Sequence, residues 1–177
     1  IRDRTWELSK FADYCLIFAK DYVYQDLINR YGEPYFFDEK NKPQKDDLAI
    51  IAMGKMGAEE LNLSSDIDLI FVHQGQGETD IRQFGKKSID NKKFFTKWGQ
   101  GIIELLDKPT QDGFVFRIDM RLRPWGDGSD LAIHLSALEK YFAQHGRAWE
   151  RFAWLKARVV NPIEFDEALQ ALIKPFV

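Results

Sequence analysis

The sequence is poor in the residues that most readily announce a chemistry. Cysteine occurs once in 177 residues, at Cys15. No intrachain disulfide is therefore possible, and a thiol within an apolar-periodic stretch reads as buried and inert, in a cytoplasmic setting. The three histidines, His73, His134 and His145, lack metal-type spacing and belong to no Ser-His-Asp or Cys-His arrangement, so they receive no catalytic part. No apolar run approaches the ~20 residues that span a bilayer. The start Ile1-Arg2-Asp3-Arg4 is no signal peptide, and the absence of an initiating methionine leads us to expect a fragment. An excess of one charge is missing as well. A formal net charge of −3 is too near neutral for a protein that coats nucleic acid, so any phosphate chemistry is local.

Apolar residues make up 45% of the chain and include fourteen phenylalanines, enough for one real core with a small helical appendage. From Thr5 to Tyr31, Leu8, Phe11, Ala12, Cys15, Ala19, Tyr22, Val23 and Leu27 recur at three- and four-residue steps, and Gly32 and Pro34 stop them. This predicts one long amphipathic helix. Residues 35–47 read as a loop, Leu48 to Met53 as a buried strand, Gly54 to Gly57 as a turn and Ala58 to Leu61 as a helical turn. Asp66 to Val72 reads as a second strand, and 73–88 as a polar loop. A helix is expected from about Asp90 to Leu106, with Phe94, Phe95, Trp98, Ile102, Leu105 and Leu106 inward.

The clearest pattern follows. Phe114, Phe116, Ile118, Met120 and Leu122 alternate with Val115, Arg117, Asp119, Arg121 and Arg123, which predicts a strand with one greasy and one charged face. Pro124 to Asp130 is a Gly-rich turn and Leu131 to Leu135 a short strand. Ser136-Ala137-Leu138-Glu139 has the spacing of a capping box. Gly146 separates the helix opened there from another running through Val160, with Trp149, Phe152 and Val159 inward. The order gives an α/β (α+β) core over 44–135, a helical segment over 1–34 and another over 136–177.

Asp66 and Asp68, two apart on a strand, project from the same face while Ile67, Leu69 and Phe71 pack on the other. Two like charges side by side require a cation or a shared proton, and hard oxygen ligands favour Mg²⁺ or Mn²⁺. Asp119 supplies a third carboxylate if its strand is a neighbour. Arg117, Arg121 and Arg123 then stand ready to neutralise phosphate oxygens, and the constellation points to phosphoryl or nucleotidyl transfer. Taken singly, Asp-x-Asp and an Arg/Asp-alternating strand more often mean a solvated sheet face; their conjunction with a glycine turn favours a site. Gly54 and Gly57 would let backbone N–H groups approach a phosphate and Lys55 would add charge, though no Walker motif is present. Ser64 and Ser65 either meet a phosphate or cap the local turn. Nothing aromatic interleaves the basic segment 82–93 as a nucleic-acid groove would require. Glu150, Arg151, Lys156 and Arg158 are placed on the exposed face of the last helix.

At this point two stretches carry a resemblance. Gly54-Lys55-Met56-Gly57-Ala58-Glu59-Glu60-Leu61-Asn62 with Ser64-Ser65-Asp66-Ile67-Asp68-Leu69-Ile70-Phe71 is one. Asp112-Gly113-Phe114-Val115-Phe116-Arg117-Ile118-Asp119-Met120-Arg121-Leu122-Arg123-Pro124, with Trp149-Glu150-Arg151-Phe152-Ala153 and Lys156-Ala157-Arg158 beyond it, is the other. Together they resemble the bifunctional glutamine synthetase adenylyltransferase/adenylyl-removing enzymes. That family carries two nucleotidyltransferase domains, and the stretches 94–100, 109–113 and 149–151 look more like the N-terminal, AMP-removing one. The resemblance implies a nucleotidyltransferase fold, a short mixed sheet with helices on one side. It implies phosphorolysis of an AMP-tyrosine on adenylylated glutamine synthetase, with inorganic phosphate consumed and ADP released. Asp66, Asp68 and Asp119 would hold Mg²⁺, and a PII regulatory protein would act through the longer chain. Attachment of AMP from ATP, by the other type of domain, and a non-catalytic sensing module are the competing readings. The family pattern often has Gly-Ser where this sequence has Gly54-Lys55, which leaves the role of Lys55 open.

Overall fold

The computed structural model describes residues 2–177, with side chains over 4–177. The first element, α1 (Arg2–Tyr31), buries Ala12, Leu16, Ala19, Leu27 and Ile28. Phe11 and Tyr22, expected inward, lie exposed with Tyr14 and Phe18. The helix carries apolar residues on more than one face, and a periodicity count cannot say which face finds a partner. The small side chains decide it. Ala12 and Ala19 allow the sheet and its crossover helix to approach, and the Trp98 indole N–H donates to the Lys20 carbonyl at 3.0 Å.

Residues read as loops form a small sheet of their own. The strands β1 (Glu33–Phe37) and β2 (Pro43–Lys45) make a hairpin, and Asp38 closes its turn by accepting the N–H groups of Lys40 and Lys42, both at 2.9 Å. β2 is polar and exposed, and β1, though it carries Tyr35, Phe36 and Phe37, is mostly half-buried and does not alternate, so neither shows the pattern that marks a strand in sequence.

The central sheet starts with β3 (Ala49–Ala52), passes through the single helical turn α2 (Gly54–Gly57) and returns antiparallel as β4 (Ile67–His73). The expected helical turn at Ala58 to Leu61 does not form; the helical residues are those read as the turn. The short β5 (Thr79–Asp80) then joins β1. The crossover helix α3 (Asn91–Asp107) follows, capped by Asp90, whose carboxylate accepts the Lys93 N–H at 2.8 Å. Its Phe94, Phe95, Trp98, Ile102 and Leu106 are buried, while Leu105 is exposed.

The crossover returns the chain parallel to β4, first as β6 (Ile118–Asp119) and, after an excursion through a 3-10 turn at Gly126–Gly128, as β7 (Ala132–His134). The long strand expected over 114–123 is thus two residues long. Phe114 and Val115 are exposed; Phe116, Ile118 and Met120 keep to the core on one side of the sheet, and Leu122 packs against the core on the other. Alternation reports a surface that is greasy on one side, whereas a strand also needs an edge to pair with, and β4 offers that edge at its two ends only.

The helices α4 (Leu135–Gln144) and α5 (Ala148–Trp154) precede β8 (Arg158–Asn161), which pairs antiparallel with β3, and α6 (Phe165–Ile173) closes the chain. The helix expected through Val160 therefore stops early and becomes a strand. Trp149 and Phe152 are exposed, and Trp154 and Val159 are the buried residues.

The result is a mixed α/β sheet in the order β6-β4-β3-β8, with β7 on the outer side of β4. Ile50, Ala52, Ile67, Leu69 and Phe71 pack on one face with α1 and α3. Ala49, Ile51, Ile70 and Val72 pack on the other with α4 and α6. Helices therefore cover both faces, not one. Full burial of a side chain the size of Phe71 or Ile50 contributes about 1.5–3 kcal/mol, so these inner strands anchor whatever their ends display. Among the described residues, no helix is long and apolar enough to cross a membrane.

Candidate active site

The carboxylates stand where the inner strand β4 begins. Asp66 immediately precedes it and Asp68 is its second residue. On the outer side, the parallel register sets Ile67 opposite Ile118 and Asp68 opposite Asp119, and the Ile67 N–H donates to the Arg117 carbonyl at 2.9 Å. Residues in register share a face, so two sequence-distant aspartates meet on the same side of adjoining strands.

Arginines answer two of the three. Arg117 Nε lies 2.9 Å from Asp66 Oδ1, an exposed pair that stabilises by at most about 1 kcal/mol. Arg121 clamps Asp119: its backbone N–H donates at 2.8 Å, and its Nε and Nη2 reach the carboxylate at 2.9 and 2.6 Å. The guanidinium holds the Asp119 carboxyl below the usual carboxylate range. Asp68 differs. Among the described residues its side chain accepts no hydrogen bond. Burial first, and then the neighbouring charges of Asp119 and Asp66, push its carboxyl up.

No three metal-type side chains among the described residues are gathered into a coordination shell, because Asp66 is turned to Arg117 and Asp119 to Arg121. The donor set nevertheless fits a hard divalent cation. It is all oxygen, it concentrates like charge, and its half-buried member has no hydrogen-bond donor and no direct ion pair among the described residues, the charges of Arg121 and Lys55 being outweighed by burial and the neighbouring carboxylates.

The glycine turn is shaped by this crowding. Gly54 has φ +55°, and a Cβ there would stand 2.6 Å from Asp68 Oδ2; only glycine combines that backbone with that approach. Gly57 serves another purpose than the phosphate approach expected of it. Its absent Cβ would lie 2.1 Å from the Lys156 carbonyl, so it lets the chain leading into β8 pass. Lys55 reaches toward Ser65, Nζ to Oγ 3.4 Å, and its charge also bears on Asp68. Ser64 and Ser65 both donate to Asn62 Oδ1, at 3.2 and 2.6 Å, which is the local turn-capping use.

Arg123 is drawn elsewhere. Its Nη1 donates to the Met120 carbonyl at 2.9 Å and its Nη2 to the Asp127 carbonyl at 3.1 Å, so it closes the excursion between β6 and β7. Arg158, expected on an exposed helix face, sits in β8. It binds Asp13 of α1 through two bonds of 2.9 and 3.0 Å and donates to the Met56 carbonyl at 3.0 Å. It thereby fixes the glycine turn to α1. No sequence signal joins residues so distant in the chain.

Comparison with known proteins finds relatives along nearly the whole chain. The family model described as glutamate-ammonia ligase adenylyltransferase matches residues 1–171. A bifunctional glutamine synthetase adenylyltransferase/adenylyl-removing enzyme of Acinetobacter baylyi is 55% identical over 98% of this chain and 18% of its own length. Proteins of the same description from Hahella chejuensis and Thioalkalivibrio sulfidiphilus are 47% and 46% identical, over 98% and 97% of this chain and 17% of their own lengths. The chain thus spans less than a fifth of the length of these relatives. Matched along nearly all of its own length, it belongs to the glutamate-ammonia ligase adenylyltransferase family.

Proposed function

We propose that this chain carries a metal-dependent nucleotidyl-transfer site that removes AMP from a tyrosine of adenylylated glutamine synthetase by phosphorolysis. The observation that carries the reading is Asp68, set opposite Asp119 in parallel register and, among the described residues, left without a hydrogen-bond donor or a direct ion-pair partner. In the reaction an oxygen of inorganic phosphate attacks the AMP phosphorus. A new P–O bond gives ADP, the bond to the tyrosine oxygen breaks, and the freed tyrosinate takes a proton.

Asp66, Asp68 and Asp119 would hold Mg²⁺, with Mn²⁺ as a substitute. A divalent ion bound there supplies charge neutralisation for phosphate oxygens and orients them. The chain's own residues do the rest. Arg117 and Arg121 bring two guanidiniums to the same strand end, where they neutralise charge on the phosphates. Lys55 adds a third cation beside Asp68. Gly54 keeps Asp68 from being displaced by a side chain, and Ser64 and Ser65 shape the turn that leads into β4. Glutamine synthetase is the protein partner in this reading, and a PII protein regulates the longer polypeptide in a cytoplasmic setting.

The test is direct. The chain is mixed with adenylylated glutamine synthetase, Mg²⁺ and phosphate, and ADP release is followed; ATP with unmodified synthetase is the opposing assay. Phosphate-dependent ADP release that Asp68→Asn abolishes supports the removing reaction. AMP incorporation from ATP assigns the attaching reaction instead, and activity unchanged by Asp68→Asn sinks both.

A further inference from the structure

The carboxylate site has an apolar rim that the chemistry above does not use. Because β4 and β6 run parallel, with Ile67 opposite Ile118 and Asp68 opposite Asp119, the segments leading into them arrive at the same end of the sheet. Leu63 stands three residues before Asp66, and Phe114 three before Arg117. Arg117 ties the two approaches together. Its Nε lies 2.9 Å from Asp66 Oδ1, and its guanidinium carbon lies 5.7 Å from the centre of the Phe114 ring. One guanidinium thus separates an exposed aromatic ring from a carboxylate of the site.

The apolar side chains on these approaches face solvent. Leu63 is 95% exposed, Phe114 51% and Val115 49%. A single exposed leucine is ordinary, but large apolar side chains gathered beside a charged site mark a surface that meets another molecule. The backbone beneath them is fixed. Leu63 rides on a turn in which the Ser65 N–H donates to the Asn62 carbonyl at 3.0 Å and Ser65 Oγ donates to Asn62 Oδ1 at 2.6 Å. Phe114 and Val115 follow a loop closed by paired backbone bonds between Thr110 and Gly113, at 2.7 and 3.1 Å. The N–H groups of Val115 and Phe116 then both donate to the Leu106 carbonyl at 3.0 Å. Surface held in place this way gives up little conformational freedom when it is covered.

What covers it follows from the substrate, a step that rests on the reading of the site as acting on AMP carried by a protein tyrosine. Both the AMP phosphate and the attacking inorganic phosphate are anions, and Lys55 and Arg121 bring positive charge beside Asp68 to meet them. The leaving group is an aryl oxygen. With the phosphorus at Asp68, the protein that bears the tyrosine comes within one side chain's length of the strand end, so its surface meets the segments leading into β4 and β6. A free nucleotide would leave Leu63 bare. A nucleic acid would need cations there, and Arg117 is already committed to Asp66. We propose that Leu63, Phe114 and Val115 form the docking surface for the glutamine synthetase substrate, covered by apolar side chains that flank its modified tyrosine.

The experiment compares two AMP esters in Mg²⁺ and phosphate: adenylylated glutamine synthetase, and the p-nitrophenyl ester of AMP, which has an aryl leaving group but no protein. Binding of the chain to immobilised synthetase is measured alongside, without phosphate. Leu63→Gln combined with Phe114→Gln adds no charge and disturbs no buried residue. It is expected to raise KM for the protein substrate and Kd for synthetase roughly tenfold or more, as loss of apolar anchors does, with kcat unchanged. The p-nitrophenyl ester, which also reports that the variant is folded, should turn over as in the wild type. Tyr22→Gln, which removes a ring 62% exposed on α1, should change nothing. Wild type that releases no ADP from either ester, while Kd still responds to the rim variant, overturns the phosphorolysis and upholds the surface. The surface itself is overturned by an unchanged KM and Kd in the rim variant, by equal weakening in Tyr22→Gln, by equal loss on the small ester, or by a wild-type chain that does not bind synthetase saturably.

Discussion

Two aspartates at opposite ends of the same strand pair show how one residue type serves structure in one place and chemistry in another. Asp46, just before β3, is 1% exposed; its carboxylate accepts the N–H groups of Asp47, Gln74 and Gly75 at 2.9, 2.9 and 3.2 Å and lies 3.4 Å from His73 Nδ1. Every part of that charge is met by the fold. Asp68, at the other end, is only half-buried, accepts nothing among the described residues and is crowded by two further carboxylates. A buried charge fully answered by backbone donors locks a turn. A charge left in want of a partner beside others of its sign is arranged for something the chain does not itself contain.

The sharpest way to break this comparison is to neutralise each aspartate in turn. Asp68→Asn is expected to lower phosphate-dependent ADP release by two orders of magnitude or more, several kcal/mol of transition-state stabilisation. The midpoint of thermal unfolding should hold or rise, because like-charge crowding is relieved; a variant that melts early and keeps its turnover would reverse the assignment. Asp46→Ala should do the opposite. It strands three N–H groups at about 1 kcal/mol or more each, a loss of roughly 3 kcal/mol in urea denaturation, while turnover per folded molecule is retained. A loss well below 1 kcal/mol would show that water replaces the carboxylate and that the lock is dispensable.

A smaller effect separates geometry from charge. Gly54→Ala puts a methyl against Asp68 Oδ2 and forces alanine into the left-handed region, a cost of about 1–2 kcal/mol. Turnover should fall more than stability, since the displaced atom is the carboxylate oxygen; equal loss of the two would mean that the turn is merely structural.

The smallest effect lies at the far end of β4. Burial and the nearby His73 hold the His134 imidazole below its ordinary value of 6.5. The unfolded chain therefore takes up a proton at a pH where the folded chain does not. Stability should decline as pH falls through about 6.5, and the decline should level off below the folded value. His134→Gln should flatten that limb of a plot of melting temperature against pH. An unchanged slope would assign the proton uptake to another group.

How much of this was legible depends on the range of the interaction. The buried runs of β3 and β4 and the stripe of α3 could be read because strand and helix periodicity are local. The pairing of Asp66 with Asp68 could be read for the same reason. The hairpin β1-β2 could not, since β2 is polar and exposed, β1 does not alternate, and the two are defined by the cross-strand ladder between them. Nor could β8, whose Arg158 and Val159 look equally at home on a helix until β3 offers them an edge. Arg117, Arg121 and Arg123 appeared equivalent on one charged face; the excursion after β6 sends Arg123 to close a turn while Arg121 folds back on Asp119.

The sequence by itself determined the inner strands, the crossover helix, the aspartate pair and the likeness to a family, because each is written in neighbouring residues or in contiguous motifs. Only the tertiary structure decided that Asp119 stands beside Asp68, that Gly54 is open for a carboxylate and Gly57 for a carbonyl, and that helices cover both sheet faces. The physical reason is that register and close approach arise between segments distant in the chain. Their energies reside in paired edges and filled space, which no single stretch of residues contains.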